Sequence, residues 1–269
     1  MLSGLATIFF TFVFAGGIAG AQEIVSLSPR PGVTQSFFLA RVPQNPQAVA
    51  ILFTGSGGLL RLRKEQEQIK FSPGNFLVRS RSEFVNRGIV TAIVDAPSDR
   101  QSGWGMTDEF RLGNQHSGDI SAVLGDLKKR FPEFPVFLIG TSRGTISAAS
   151  LAARFGSQVA GTVLTSTMFR QTGRKSQEPG PGLSGFDFAS IKIPLLLVHH
   201  VSDQCFVTPY SDAARLSDKF PLISVFGGSP PQSGPCDAQS QHGYLGKESE
   251  TVEQIVYWML KKPHRDEIR

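Results

Sequence analysis

Gly140-Thr141-Ser142-Arg143-Gly144 is the stretch of this 269-residue chain whose residue types and spacing could do chemistry. A serine flanked two positions away by glycine on each side fits a sharp turn in which a side chain at either glycine would strike neighbouring backbone. The apolar run 136–139 before it reads as a buried strand, and the small-residue segment after it as a helix. Such a turn lifts the serine hydroxyl over the end of a sheet. It also places the hydroxyl at a helix N-terminus, whose N–H groups can stabilise a developing oxyanion. The competing reading is an ordinary Gly/Ser turn; the strand–turn–helix context separates the two.

A serine nucleophile needs a base to take its proton, and the base needs an acid to hold its tautomer. In a parallel sheet these groups come from loops at the carboxyl ends of strands. Asp203 follows the apolar strand 194–200, and His242 lies between the last strand, 222–226, and the closing helix, 247–262. Asp237, Asp187 and Asp212 are the lesser candidates for the acid. His199 and His200 end the strand before Asp203, one expected in the core and the other at the cleft rim. His264 belongs to a charged tail. Thr54-Gly55-Ser56-Gly57-Gly58, after the apolar run 48–53, reads as an oxyanion loop with an N–H near Gly55 or Ser56, or as a plain glycine-rich connection. It lacks the Gly-Lys-Ser/Thr ending of a phosphate loop. Trp104, Met106 and Phe110, in the long connection 100–115, are candidates for an apolar acyl pocket or for core. His116 would line that pocket or be solvated.

The elements that must position these groups alternate. Two strands, 24–28 and 35–42, are joined by Pro-Arg-Pro-Gly. Strands at 48–53, 89–94, 135–139, 159–165, 194–200 and 222–226 follow, with helices at 75–86, from about 117 to 130, 143–155, 211–219 and 247–262. That pattern predicts an α/β fold, a mostly parallel central sheet with helices on both faces. Residues 168–190, rich in glycine and proline, read as a small mobile cap over the serine or as a plain loop. No insertion is large enough for a bulky cap.

The order Ser142, Asp203, His242, with a glycine-rich loop after an early strand, resembles the α/β-hydrolase superfamily over residues 24 to 262. The loop departs from the His-Gly start common there. The resemblance implies a serine hydrolase: Ser142 attacks a carbonyl, His242 moves the proton, and Asp203 orients His242. The backbone N–H of Arg143 and one from Gly55 or Ser56 hold the oxyanion. A carboxylic ester is the leading substrate. A serine peptidase or amidase and an acyltransferase are the rivals of the same fold, and a non-catalytic binding protein is the reading from another class.

Residues 1–21 carry no charged side chain and end in Ala-Gly-Ala, which reads as a signal peptide cleaved before Gln22, or as a retained anchor. Residues 22–269 then form a single domain that is periplasmic or secreted, with no stable membrane span after cleavage. Two cysteines in an exported chain imply one disulfide, Cys205 to Cys236, tying the loop of Asp203 to that of His242. Their spacing matches no common metal pattern, and no metal or cofactor is implied. The net charge is +5, and the clusters Arg61, Arg63, Lys64 and Arg79, Arg81, Arg87 lack interleaved aromatics. They read as solvated surface, so the expected partner is a small-molecule or peptide acyl substrate and not a nucleic acid. The oligomeric state is not legible.

Overall fold

The run Ala48–Phe53 is buried at every position in a computed structural model that describes residues 21–72, 74–173 and 179–269. The expected leader, apart from Ala21, lies outside the described residues. A strand without polar alternation must be covered on both faces, and the topology supplies the cover. In chain order the elements begin with β1 (Glu23–Arg30), β2 (Val33–Leu39), β3 (Ala48–Phe53) and a small hairpin of β4 (Arg63–Glu65) and β5 (Gln68–Lys70). Then come α1 (Phe76–Arg79), α2 (Arg81–Asn86), β6 (Ile89–Val94), α3 (Asp108–Leu112), α4 (Asn114–Arg130), β7 (Val136–Thr141) and α5 (Gly144–Phe155). The chain continues through β8 (Gly161–Thr165), β9 (Leu195–His200), α6 (Tyr210–Ala214), β10 (Leu222–Val225), α7 (Glu248–Met259) and β11 (Glu267–Ile268).

Nine strands form one sheet in the order β1-β2-β6-β3-β7-β8-β9-β10-β11. β1 and β2 are antiparallel to their neighbours, and the run from β6 to β11 is parallel. Side chains alternate across it. Val49, Ile51 and Phe53 of β3 join a core with Ile120 and Leu127 of α4 and Ile146 and Leu151 of α5. Ala48, Ala50 and Leu52 join the opposite core with Phe76 and Leu77 of α1, Phe84 of α2 and Val252 and Ile255 of α7. The sheet is thus sandwiched, and its parallel strands all end on one edge. No helix among the described residues is long and apolar enough to cross a membrane.

Several elements depart from the sequence expectation. The helix expected over 75–86 is broken at Ser80, which is buried and leaves helical geometry (φ −92°, ψ 5°). The 211–219 helix is regular only to Ala214. Residues 108–112, expected as connection, form α3, capped by Thr107 Oγ1 on the Phe110 N–H at 3.3 Å. The Arg79, Arg81 and Arg87 cluster is not a solvated patch. Arg79 pairs with Glu248 at 3.0 Å, Arg81 lies 5.0 Å from the Phe71 ring centre, and Arg87 pairs with Glu83 at 2.6 Å.

Candidate active site

β7 hands over to α5 at Ser142, whose φ of 52° is left-handed, a conformation a non-glycine residue holds only when its surroundings fix it. The fixing contacts are made by its own backbone groups. The Ser142 N–H donates to the Thr165 carbonyl of β8 at 3.0 Å, and the Ser142 carbonyl accepts the N–H of Thr145 at 2.9 Å and its hydroxyl at 2.6 Å. Both motif glycines are forced. A Cβ on Gly140 would lie 2.5 Å from the Gly144 carbonyl oxygen, and one on Gly144 would run into the carbonyl of Phe53.

Asp203 sits in the turn after β9 with its side chain fully buried, and His242 lies in the loop between β10 and α7. His242 Nδ1 is 3.0 Å from Asp203 Oδ2. Thr208 joins the pair: its hydroxyl donates to Asp203 Oδ2 at 2.9 Å and lies 3.1 Å from His242 Nδ1. Because that hydroxyl spends its proton on the carboxylate, its oxygen can only accept from the ring. The network therefore assigns the imidazole proton to Nδ1 and leaves Nε2 as the acceptor. Asp203 Oδ1 accepts the Cys205 N–H at 2.9 Å. Cys205 is bonded to Cys236, 31 residues on. The disulfide thus joins the loop of Asp203 to that of His242.

The His242 loop is braced from below. Tyr244, left-handed at φ 60° and fully buried, donates its hydroxyl to the Val198 carbonyl of β9 at 2.7 Å and accepts the Ser166 N–H at 2.9 Å. The Ser166 hydroxyl donates to the His242 carbonyl at 2.8 Å. Burial pushes the Tyr244 phenol well above its usual range, so it stays a donor at every working pH.

Ser142 and His242 line one cavity of about 370 Å³ together with Gly55, Ser56, Leu60, Asn75, Phe76 and Asp237. Gly55 is beside the serine: a Cβ there would lie 3.1 Å from Ser142 Cβ. Arg143, on the other side, is buried, and its guanidinium pairs with the fully buried Asp108. Asp108 also accepts the Gly182 N–H at 2.8 Å. The described parts of 168–190 are thus seated beside the elbow, and none of their residues lines the Ser142 cavity. Pro179 and Gly180 instead wall a second cavity of about 270 Å³ with Trp104, Met106 and Arg143.

The other expected positions fall elsewhere. Trp104 is 51% exposed. Phe110 and His116 are buried and line neither of these cavities. His116 is neither pocket wall nor solvated, because α4 turns its ring inward between Phe53 and Phe110, where Nε2 meets Ser147 Oγ at 2.9 Å. His199 and His200 are both buried, and neither reaches a rim. His199 Nε2 accepts the Thr167 N–H at 2.9 Å, and His200 Nδ1 accepts the Ser202 N–H at 3.1 Å. Asp212 pairs with Arg170 at 2.7 Å, Asp187 accepts the Ala189 N–H at 2.9 Å, and Asp237 accepts the Gly234 N–H at 3.1 Å. Sequence reasoning passed over Thr208, Tyr244, Ser166, Asn75 and Arg111. None sits in a motif; the position of Thr208, five residues past the acid, is the one cue available.

A parallel sheet flanked by helices, with a serine on a strained strand-to-helix turn, defines an α/β serine hydrolase. Residues 81–224, more than half of the chain, match the family described as serine aminopeptidase, S33, and the chain belongs to that family. No curated protein matches it in sequence. Among solved structures, it is similar to dienelactone hydrolase from Anabaena variabilis, at TM-score 0.62 and 15% identity over 91% of this chain and 99% of that one. Est1E from Butyrivibrio proteoclasticus is similar at TM-score 0.59 and 16% identity, over 90% and 98% of the two chains. A thermostable carboxyl esterase from Bacillus coagulans follows at 0.58 and 13%, over 89% and 98%.

Proposed function

We propose that the protein is an exported carboxylic ester hydrolase working through an acyl-enzyme, with Ser142 as nucleophile, His242 as base and Asp203 as its orienting acid. The observation that carries this reading is the Asp203–His242 contact at 3.0 Å, in a loop pair whose other end shares a cavity with a left-handed Ser142. His242 Nε2 takes the serine proton as Ser142 Oγ bonds to the ester carbonyl carbon. The protonated ring stays stabilised by Asp203 and returns that proton to the departing alkoxide. Water then repeats the exchange and frees the acid. The backbone N–H of Arg143, together with one from the Gly55–Ser56 loop, receives the oxyanion. The cavity volume favours a short acyl group over a long chain.

Aminopeptidase action is the second reading. The family's description favours it, as does Asp237, a carboxylate in the lining that would suit a substrate's ammonium group. Export is supported by the disulfide and by the uncharged segment 1–21.

Turnover of p-nitrophenyl esters of increasing acyl length beside aminoacyl p-nitroanilides, with Ser142→Ala as control, tests the proposal. Ester hydrolysis that favours acetate and butyrate and falls at least 10⁴-fold in the variant is the expected result. Anilide turnover without ester turnover would establish the second reading. No turnover of either, with Ser142 inert to a fluorophosphonate, would leave a binding protein.

A further inference from the structure

Every carbonyl from Thr54 to Gly58, just after β3, is engaged. Those of Thr54 and Ser56 accept Nη2 of Arg111 at 3.3 and 2.9 Å. Those of Gly55, Gly57 and Gly58 accept the N–H groups of Gly58, Met106 and Ala96 at 3.0, 2.8 and 3.1 Å. In a trans peptide the carbonyl of one residue and the N–H of the next point in opposite directions. The bond from Arg111 to Thr54 therefore turns the Gly55 N–H away from the guanidinium, and the bond to Ser56 does the same for Gly57.

Arg111 itself is fully buried, which a charged side chain tolerates only when its donors are used. Besides the two loop carbonyls, Nη1 donates to Ser147 Oγ of α5 at 2.8 Å, and Nε donates to the Met106 carbonyl at 3.2 Å. One rigid fork thus spans the loop beside Ser142, the approach to α3, and the helix that begins just behind Ser142. A guanidinium keeps these donors in a single plane; an ammonium on a flexible stem cannot. The charge also polarises the Thr54–Gly55 peptide from its carbonyl end, which strengthens the N–H at the other end as a donor.

We infer that Arg111 is a positioning residue for the oxyanion hole: it sets the Gly55 peptide against α5, so that the loop N–H and the N–H at the elbow converge on one point. The inference rests on the triad reading proposed above. It also selects Gly55 over Ser56 as the loop donor: Arg111 holds the peptides that carry the Gly55 and Gly57 N–H groups, and of these two residues Gly55 is the one beside Ser142.

The test compares Arg111→Lys, which keeps the charge and breaks the fork, with Ser147→Ala, which leaves the arginine in place and removes one anchor. The readouts are kcat and KM for p-nitrophenyl acetate, inhibition by a trifluoromethyl ketone that forms a tetrahedral adduct on serine, and the melting temperature. In Arg111→Lys, kcat falls by about 10²-fold with KM nearly unchanged, and the ketone weakens by a similar factor. The pH profile of kcat/KM keeps its shape, because the Asp203–His242 contact is untouched. Ser147→Ala moves the same parameters by a smaller factor, and the double variant is no worse than Arg111→Lys, since both act through one fork. If Arg111→Lys does not fold, Ser147→Ala decides alone. Wild-type kcat and ketone affinity in a folded variant overturn the inference, as does a kcat loss that the ketone does not share. Hydrolysis that survives Ser142→Ala overturns the triad reading itself. A dead Ser142→Ala beside unchanged Arg111 and Ser147 variants removes only the positioning role.

Discussion

His116 and His199 are histidines that the fold keeps neutral. Burial lowers both to about 3 from an ordinary 6.5; for His116 the neighbouring Arg111 adds to the effect. His199 Nε2 accepts the Thr167 N–H, a bond that a proton on that nitrogen would abolish. The unfolded chain takes up a proton at each ring near 6.5 while the folded chain does not. Stability is therefore full above that pH and falls as the pH drops through the window from 6.5 towards 3. The slope is about 1.4 kcal/mol per histidine per pH unit. Urea unfolding at pH 7.5, 5.5 and 4.5 should show it, and His116→Gln should flatten the decline; equal stability at all three values would rule the account out. At this scale the sequence was informative where chain order carries meaning. Ser142, Asp203 and His242 each follow the end of a strand, so their positions could be singled out. The burial of His116 depends on Phe53 and Ser147, residues distant in sequence, as well as on nearby Phe110, and no local signal encodes it. Arg111 was overlooked because Thr54, Ser56, Met106 and Ser147, which it binds, lie in three separate segments.

Between β9 and α7 two loops must meet, and neither has more than a single helical turn to hold it. The Cys205–Cys236 bond and the Thr208 hydroxyl do that work from one side, and Tyr244 does it from the other. Closing 31 residues of separation with a covalent link stabilises the fold by about 3–4 kcal/mol in the chain-entropy picture. The variant Cys205→Ser/Cys236→Ser should lose that much in urea titration. Its kcat should fall as well, because the Cys205 N–H that holds Asp203 Oδ1 is no longer anchored. A loss below about 1 kcal/mol would show that the loops hold themselves. The pairing could be anticipated because two cysteines leave one choice. Strands buried on both faces, β3, β6, β7 and β9, were equally plain, since they are dominated by apolar residues with no polar alternation. The hairpin of β4 and β5 was invisible: its residues are charged or polar save Ile69, and a two-stranded ribbon on the surface has no hydrophobic period to read. The break between α1 and α2 was hidden for the opposite reason, because apolar residues continue across it on the same core.

For the molecule as a whole, all the proposed machinery lies where the parallel strands end, and the sheet runs from β1 near residue 23 to β11 near residue 268. Export, as proposed, predicts that protein recovered from the periplasm or the medium begins at Gln22. Intact mass would decide this, and a mass that retains residues 1–21 would mean an anchor. The parallel run of strands follows from alternation of strand and helix, which is why the fold class could be read early; the seating of 179–183 on Asp108 could not, because it depends on a buried acid in α3 meeting backbone from a distant loop. The elbow at Ser142 also constrains how such a chain can change over generations. What blocks a side chain at positions 140 and 144 is not another side chain but the carbonyls of Gly144 and Phe53. Main chain is common to every amino acid, so no codon change elsewhere can carve out the missing room. A lineage that lost either glycine would regain function by reversion, not by a suppressor at a second site.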